Sequence, residues 1–232
     1  MKNAIRALFV MLLGAPLSSY AQSTTNSIYI DQVGDASTIT ITQKGQNNKI
    51  GTEQNRFQIG GDAQLMTVTQ EGNGNQINGQ IVQADNIDYG VTFTGDNNTM
   101  TVDQGDSASV AGSELVLGVT GDSNAISLTQ GSVSSSTNAD QNITIGGDQN
   151  TYTSTINADD VTNVVTIAGD SNTMTMTQNG YAGKNVTSTV TGNGNTISVS
   201  QTSTLNVDTL NITHTGNGNT IAVSQCNAGG SC

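Results

Sequence analysis

Apolar and polar residues alternate with period two over most of the chain, in short runs separated by glycine-centred turns. Residues 186–201, VTSTVTGNGNTISVSQ, show the unit. Val186, Ser188 and Val190 share one face, Gly192-Asn193-Gly194-Asn195 makes a turn, and Ile197, Val199 and Gln201 resume the alternation. Period two with a β-branched bias predicts strand, turn, strand, and no helix.

Aligned on the first turn glycine, the unit recurs at Gly34, Gly61, Gly95, Gly121, Gly147, Gly169, Gly192 and Gly216. Three residues later stands Asn, at Asn98, Asn124, Asn150, Asn172, Asn195 and Asn219, with Ser37 and Gln64 in the first two copies. Two mostly apolar positions follow at steps of two, then Gln43, Gln70, Gln104, Gln130, Gln178, Gln201 and Gln225, with Ile156 the exception. Gln32 stands two residues ahead of the first turn glycine. The turn glycines lie 22 to 34 residues apart, room for two strands and two turns but not for a folded domain. A two-strand rung cannot bury its apolar face alone, so successive rungs must stack. The expected fold is all-β: a β-solenoid of about eight two-strand rungs over residues 28–225, each strand paired with its equivalent about 4.8 Å away. Inward Asn and Gln then form ladders in which each amide bonds the ones above and below, removing the cost of burying it.

Composition alone would suit a disordered polar chain: 3% of residues are aromatic and there is one Pro. The fixed register overrides that reading. Residues 1–21 read as a secretory signal, with Lys2 and Arg6 ahead of an apolar run from Ala7 to Ala15 and small residues Ser19 and Ala21 before a cleavage point at Gln22. The run is too short to serve as a membrane anchor, and a short polar lead, residues 22–27, follows. After cleavage Lys44, Lys49, Arg56 and Lys184 remain against 18 acids, a net charge of −14. That balance argues against nucleic acid or anionic lipid as a partner and favours solubility before assembly. Cys226 and Cys232, the only cysteines, lie in a C-terminal tail, residues 226–232. In an oxidising compartment they can close a small loop over the last rung or bridge two chains.

Several connections are longer than the rest. Residues 52–56 read as an inserted loop carrying Arg56, residues 79–89 as a longer excursion, and residues 131–140, GSVSSSTNAD, as a low-complexity bulge. Insertions cluster after the second strand of each unit, so one edge is smooth and the other ragged. The fifth unit is the weakest, with Tyr152 and Ser154 at inward positions.

The stretch Gln32-x-Gly34-x-x-Ser37-x-Ile39-x-x-x-Gln43-x-Gly45-x-x-Asn48 resembles the curlin repeat, and Gln43-Lys-Gly45-Gln-Asn-Asn48 and Gln70-Glu-Gly72-Asn-Gly-Asn75 match its Gln-x-Gly-x-x-Asn core. The resemblance implies a secreted subunit of curli, the functional amyloid of bacterial biofilm matrix. It implies export through a dedicated outer-membrane pore, end-to-end stacking into a homopolymer, and nucleation by a paralogous minor subunit. It places the chain outside a Gram-negative-type bacterium, at the cell surface, with a role in adhesion.

Other chemistry is sparse. Asp follows the turn glycine at Asp35, Asp62, Asp96, Asp122, Asp148 and Asp170. A stacked acid column could hold Ca²⁺, but the nonapeptide spacing of calcium-binding β-helices is absent, and the aspartates read as turn residues. Outward Thr recurs as Thr38, Thr40 and Thr42, Thr67 and Thr69, Thr99 and Thr101, Thr173, Thr175 and Thr177, and Thr187, Thr189 and Thr191. A Thr-x-Thr face suggests a rival function, a monomeric binding module for ice or a host surface, against plain β-propensity on a solvated face. His214, the only histidine, reads as a core or capping residue beside Gly216. No nucleophile elbow, phosphate loop or metal-spaced cluster is present in the sequence. A polysaccharide-acting β-helix needs carboxylates beside aromatic platforms, which 3% aromatic residues do not furnish. The expectation is a structural protein with no catalytic residue, cofactor or metal.

Overall fold

The computed structural model describes residues 17–22, 25–54, 56–82, 86–104, 112–121, 123–130, 136–137, 140–159, 161–179, 184–202 and 208–226. All of its regular elements are strands. One sheet contains, in spatial order, β1 (Leu17–Gln22), β3 (Thr38–Lys44), β5 (Leu65–Glu71), β7 (Asp88–Thr94), β9 (Glu114–Thr120), β12 (Asp140–Gly146), β14 (Val161–Ala168), β16 (Lys184–Thr191) and β18 (Asp208–Thr215). The second contains β2 (Ile30–Val33), β4 (Phe57–Gly60), β6 (Ile77–Val82), β8 (Met100–Gln104), β10 (Ile126–Gln130), β13 (Tyr152–Asp159), β15 (Met176–Asn179), β17 (Ile197–Thr202) and β19 (Ile221–Cys226). A two-residue strand, β11 (Ser136–Thr137), pairs with β13 beside this path. The chain passes from sheet to sheet with each strand, and the strand pairs are parallel, as a β-solenoid requires.

The register is that of the repeat. Val186, Ser188 and Val190 of β16 lie opposite Asn163, Val165 and Ile167 of β14 on one side and Leu210, Ile212 and His214 of β18 on the other. Burial alternates along β16 residue by residue, so period two in the sequence becomes an inside and an outside. Inward residues of both sheets form one continuous apolar cluster from Ile41 to Val199.

The corner from the first sheet to the second sets the stack. Gly192 there has φ +145°, and a Cβ on it would stand 1.6 Å from the carbonyl oxygen of Gly169 one rung earlier. Only glycine meets both demands. Two residues on, the backbone is again left-handed, at Asn97, Ser123, Gln149 and Ser171 and at glycines 74, 194 and 218. The GNGN spelling of the later turns is therefore the ideal form of a corner that other copies write with Asn, Ser or Gln.

In the first two copies, this corner is not where alignment on Gly34 and Gly61 puts it. Those two glycines lie on the return corner, from the second sheet to the first, and stack on one another. The column that continues to Gly95 is headed by Gly45 and Gly72: a Cβ on Gly72 would meet Gly45, and one on Gly95 would meet Gly72. The cause is the similarity of the two corners in the first rungs, which repeat glycine and a polar residue eleven positions apart. Alignment on glycine alone can slip by half a rung there. With the slip corrected, the 34-residue step disappears and the corner glycines are 22 to 27 residues apart throughout.

The return connections are the unequal ones, one residue between β13 and β14 but nine between β8 and β9, while the longest step the other way is from β3 to β4. The expected excursion over residues 79–89 shrinks, because β6 runs to Val82 and β7 begins at Asp88. The insertion before Phe57 has a local reason. Phe57 is fully buried against Gly79, where a Cβ would stand 2.1 Å from its ring, and its ring lies 5.7 Å from that of Tyr89. Phe57 thus fills the space that a side chain at residue 79 would take.

Gly79→Ala is expected to lower stability by about 1–3 kcal/mol through overpacking against Phe57. Gly118→Ala, at a strand position with nothing within 4 Å, should be neutral or stabilising by about 0.5 kcal/mol. Denaturant titration of both variants checks the pair; equal losses would contradict the packing of Phe57 into the space at Gly79.

Candidate stacking ladder and terminal faces

Each corner ends in an asparagine, and the asparagines form one hydrogen-bonded column. Asn75 Nδ2 donates to Asn48 Oδ1 at 2.8 Å, Asn98 to Asn75 at 2.6 Å, Asn124 to Asn98 at 2.7 Å and Asn150 to Asn124 at 2.7 Å. Asn172 donates to Asn150 at 2.6 Å, Asn195 to Asn172 at 2.5 Å and Asn219 to Asn195 at 2.8 Å. The second hydrogen of each Nδ2 goes to the corner glycine of its own rung, as from Asn124 to the Gly121 carbonyl at 2.8 Å and Asn150 to Gly147 at 2.6 Å. Each amide thus ties its own corner closed and holds the rung before it, and every link donates toward the N-terminal end. Asn48 and Asn75 take the places that the glycine alignment gave to Ser37 and Gln64.

The glutamines divide between the two sheets. Gln43 and Gln70 belong to the first, where Gln70 Nε2 donates to Gln43 Oε1 at 2.6 Å. Phe93 comes next in that register, so the Oε1 of Gln70 is buried without a donor. Gln104, Gln130, Gln178, Gln201 and Gln225 belong to the second sheet. Gln130 donates to Gln104 at 3.0 Å, Gln178 to Gln201 at 2.5 Å and Gln201 to Gln225 at 3.3 Å. Gln32 joins no ladder: it lies opposite Ile59 and donates to Ser37 Oγ at 2.9 Å.

Ile156 breaks the second glutamine column, and the opposite sheet repairs it. Gln141 of β12 reaches across the core and donates to Gln130 Oε1 at 2.5 Å. Its own oxygen accepts from the Tyr152 hydroxyl at 2.5 Å and from Ser154 at 3.2 Å. Asn163 of β14 likewise donates to Gln178. Tyr152 and Ser154, which make the fifth unit look weak in sequence, are members of this network. Burial pushes the Tyr152 hydroxyl well above the ordinary phenol range.

Outside, the register gathers surface residues that sequence spacing scatters. Thr42, Thr69, Thr92, Thr144, Thr166, Thr189 and Thr213 form one outward column on the first sheet, interrupted only by Gly118. Asp88, Glu114 and Asp140 are stacked neighbours at the starts of β7, β9 and β12. The unequal return connections hide this acid ladder from any fixed-period reading. The expected aspartate column divides as the glycines do: Asp35 and Asp62 follow the return corner and Asp96, Asp148 and Asp170 the other, while Asp122 lies outside the described residues. No group of three acids, histidines or cysteines among the described residues could hold a metal ion. Cys226 ends β19 and is disulfide-bonded; Cys232 lies outside the described residues.

Comparison with protein-family models, curated proteins and solved structures finds no match. The site therefore rests on its own geometry.

The two ends of the stack differ. At the C-terminal end β18 and β19 each have, among the described residues, a paired neighbour on one side only. Ile221 and Val223 are 45% and 41% exposed, although their equivalents Ile197 and Val199 one rung earlier are buried. At the N-terminal end β1, which straddles the expected cleavage point, lies against β3, with Leu17, Ser19 and Ala21 in register with Ile39, Ile41 and Gln43.

Two variants test the ladders. Asn150→Ala removes the bonds to Asn124 and Gly147 and strips Asn172 of its acceptor; a loss of about 3 kcal/mol in denaturant titration is expected. Glu114→Gln relieves like charges held side by side and should stabilise by about 0.5 kcal/mol at low salt, with the gain shrinking as salt is added.

Proposed function

We propose that the chain is the structural subunit of an extracellular, curli-like amyloid fibre, assembling head to tail by stacking one solenoid on the next in a cell-adhesion or biofilm matrix. The C-terminal face carries this reading: a rung whose apolar side chains and two strand edges lack, among the described residues, the neighbour that every earlier rung has. An open parallel edge is a template for another strand. Joining unlike ends does not close into a ring, so the product is a filament. The net charge of −14 expected after cleavage keeps free subunits apart until stacking aligns them. On this reading the principal partner is a second copy of the chain, with a nucleating paralogue and an outer-membrane export pore as the resemblance to curlin implies.

The Thr42 column supports a second reading, a monomeric solenoid that binds ice or a host surface through its threonine face. The two readings divide on whether the ends stay open. Residues 22–232, diluted from denaturant, should form fibres after a lag, shorten that lag when seeded with their own fragments, and raise thioflavin fluorescence. Negative-stain microscopy checks the product, and parallel runs with reductant report whether the Cys226 disulfide slows growth. A stable soluble monomer with and without reductant would overturn the fibre reading and leave the threonine face as the functional surface.

A further inference from the structure

The only histidine of the chain lies on the open C-terminal face. His214, half-buried in β18, ends the inward column that runs through Gln43, Gln70, Phe93, Val119, Ile145, Ile167 and Val190. Its Nε2 is 2.7 Å from Asn195 Oδ1 and 2.9 Å from Asn219 Nδ2. The first contact needs a proton on Nε2; the second needs a lone pair there. Both hydrogens of Asn219 Nδ2 are held, by Asn195 Oδ1 and the Gly216 carbonyl, so the ring is accommodated with a proton on Nε2, donated to the second lone pair of Asn195 Oδ1. The neutral Nε2–H tautomer and the imidazolium both make that bond, so the two forms differ on this face by their charge. Protonation therefore places a positive charge on the stacking face, beside the last link of the asparagine ladder.

Among the described residues, nothing packed against the ring neutralises that charge. β16 presents Ser188 and Val190 to β18, and the inward residues of β17 and β19 are Ile197, Val199, Gln201, Ile221, Val223 and Gln225, none of which titrates. Lys184 and Asp208 neighbour each other at the far ends of β16 and β18, six residues and roughly 20 Å along the strands from His214. At the opposite face of the molecule the same column begins with Gln43 in β3, or with Ala21 in β1, and neither carries charge. Among the described residues of this column, a second copy stacked on the C-terminal face thus offers an imidazolium no carboxylate, and covering the ring strips its water.

We propose that His214 is a proton-operated gate on stacking: neutral, it lets the face be covered; protonated, it carries a charge that blocks the next subunit. The gate rests on the fibre reading above. Each addition joins one C-terminal face to one N-terminal face, so every step buries one His214 whichever end grows. Histidine is the side chain whose charge changes between about pH 5 and 8, so the gate works across mildly acid surroundings.

The test is seeded elongation of residues 22–232 at about pH 7.5 and about pH 5.5 and constant ionic strength, with wild type, His214→Gln and His214→Phe compared. Gln and Phe both occupy this column elsewhere, at Gln43, Gln70 and Phe93, so both variants suit its packing. Wild-type elongation should fall about tenfold at the lower pH, while both variants lose the response. Equal pH responses in all three chains, or faster wild-type growth in acid, would overturn the gate and leave the fibre reading intact. Absence of fibres from all three chains at both pH values would overturn the fibre reading and the gate with it.

Discussion

The column of asparagine amides is the constraint to which the rest of the molecule conforms. A buried amide without partners costs about 1–3 kcal/mol, whereas one that is fully bonded contributes a modest net gain. The column is satisfied only when each corner lies over the one before it to within a fraction of a residue. A one-residue slip would break that link and turn every inward side chain of the strand outward. The ladder therefore supplies specificity of register more than bulk stability, and the apolar columns on both sides inherit their alignment from it.

Such a molecule can tolerate poor rungs if neighbouring ones compensate. The rung that contains Tyr152, Ser154 and Ile156 has lost its glutamine, yet Gln141 and Asn163 from the facing sheet take up the bonds that Gln130 and Gln178 would otherwise lack. The Gln43–Gln70 pair has no such help, because Phe93 follows it and leaves an oxygen of Gln70 unbonded. Repetition thus does not demand identical rungs. It demands that polar atoms turned inward find one another by whatever route the two sheets allow.

Much of this was legible in the sequence. Period two, glycine at fixed intervals and Asn three residues later suffice to predict a two-sheet solenoid with amide ladders, and residues Asn98 to Asn219 lie where that pattern puts them. What the pattern could not decide was which corner is which. Gly34 and Gly45 stand in chemically similar turns, and only contacts between rungs distinguish them: Gly72 rests on Gly45, Gly61 on Gly34. The Gln-x-Gly-x-x-Asn cores at Gln43 and Gln70 held the information, since Asn48 and Asn75 are the ladder's true beginning. The acid ladder of Asp88, Glu114 and Asp140 and the cross-core bonds of Gln141 were illegible for a different reason. They join residues brought level by return connections of unequal length, which no sequence period records.

The one-way sense of the ladder gives the molecule an electrical direction. Each asparagine side chain contributes an amide dipole, and because every link donates toward the N-terminal end, the dipoles add along the solenoid axis rather than cancel. Bonds aligned in series also polarise one another. One end of the column is thereby partially positive and the other partially negative, the side-chain counterpart of a helix macrodipole. Two molecules meeting by unlike ends extend the series, whereas two meeting by like ends oppose their fields before any atoms touch.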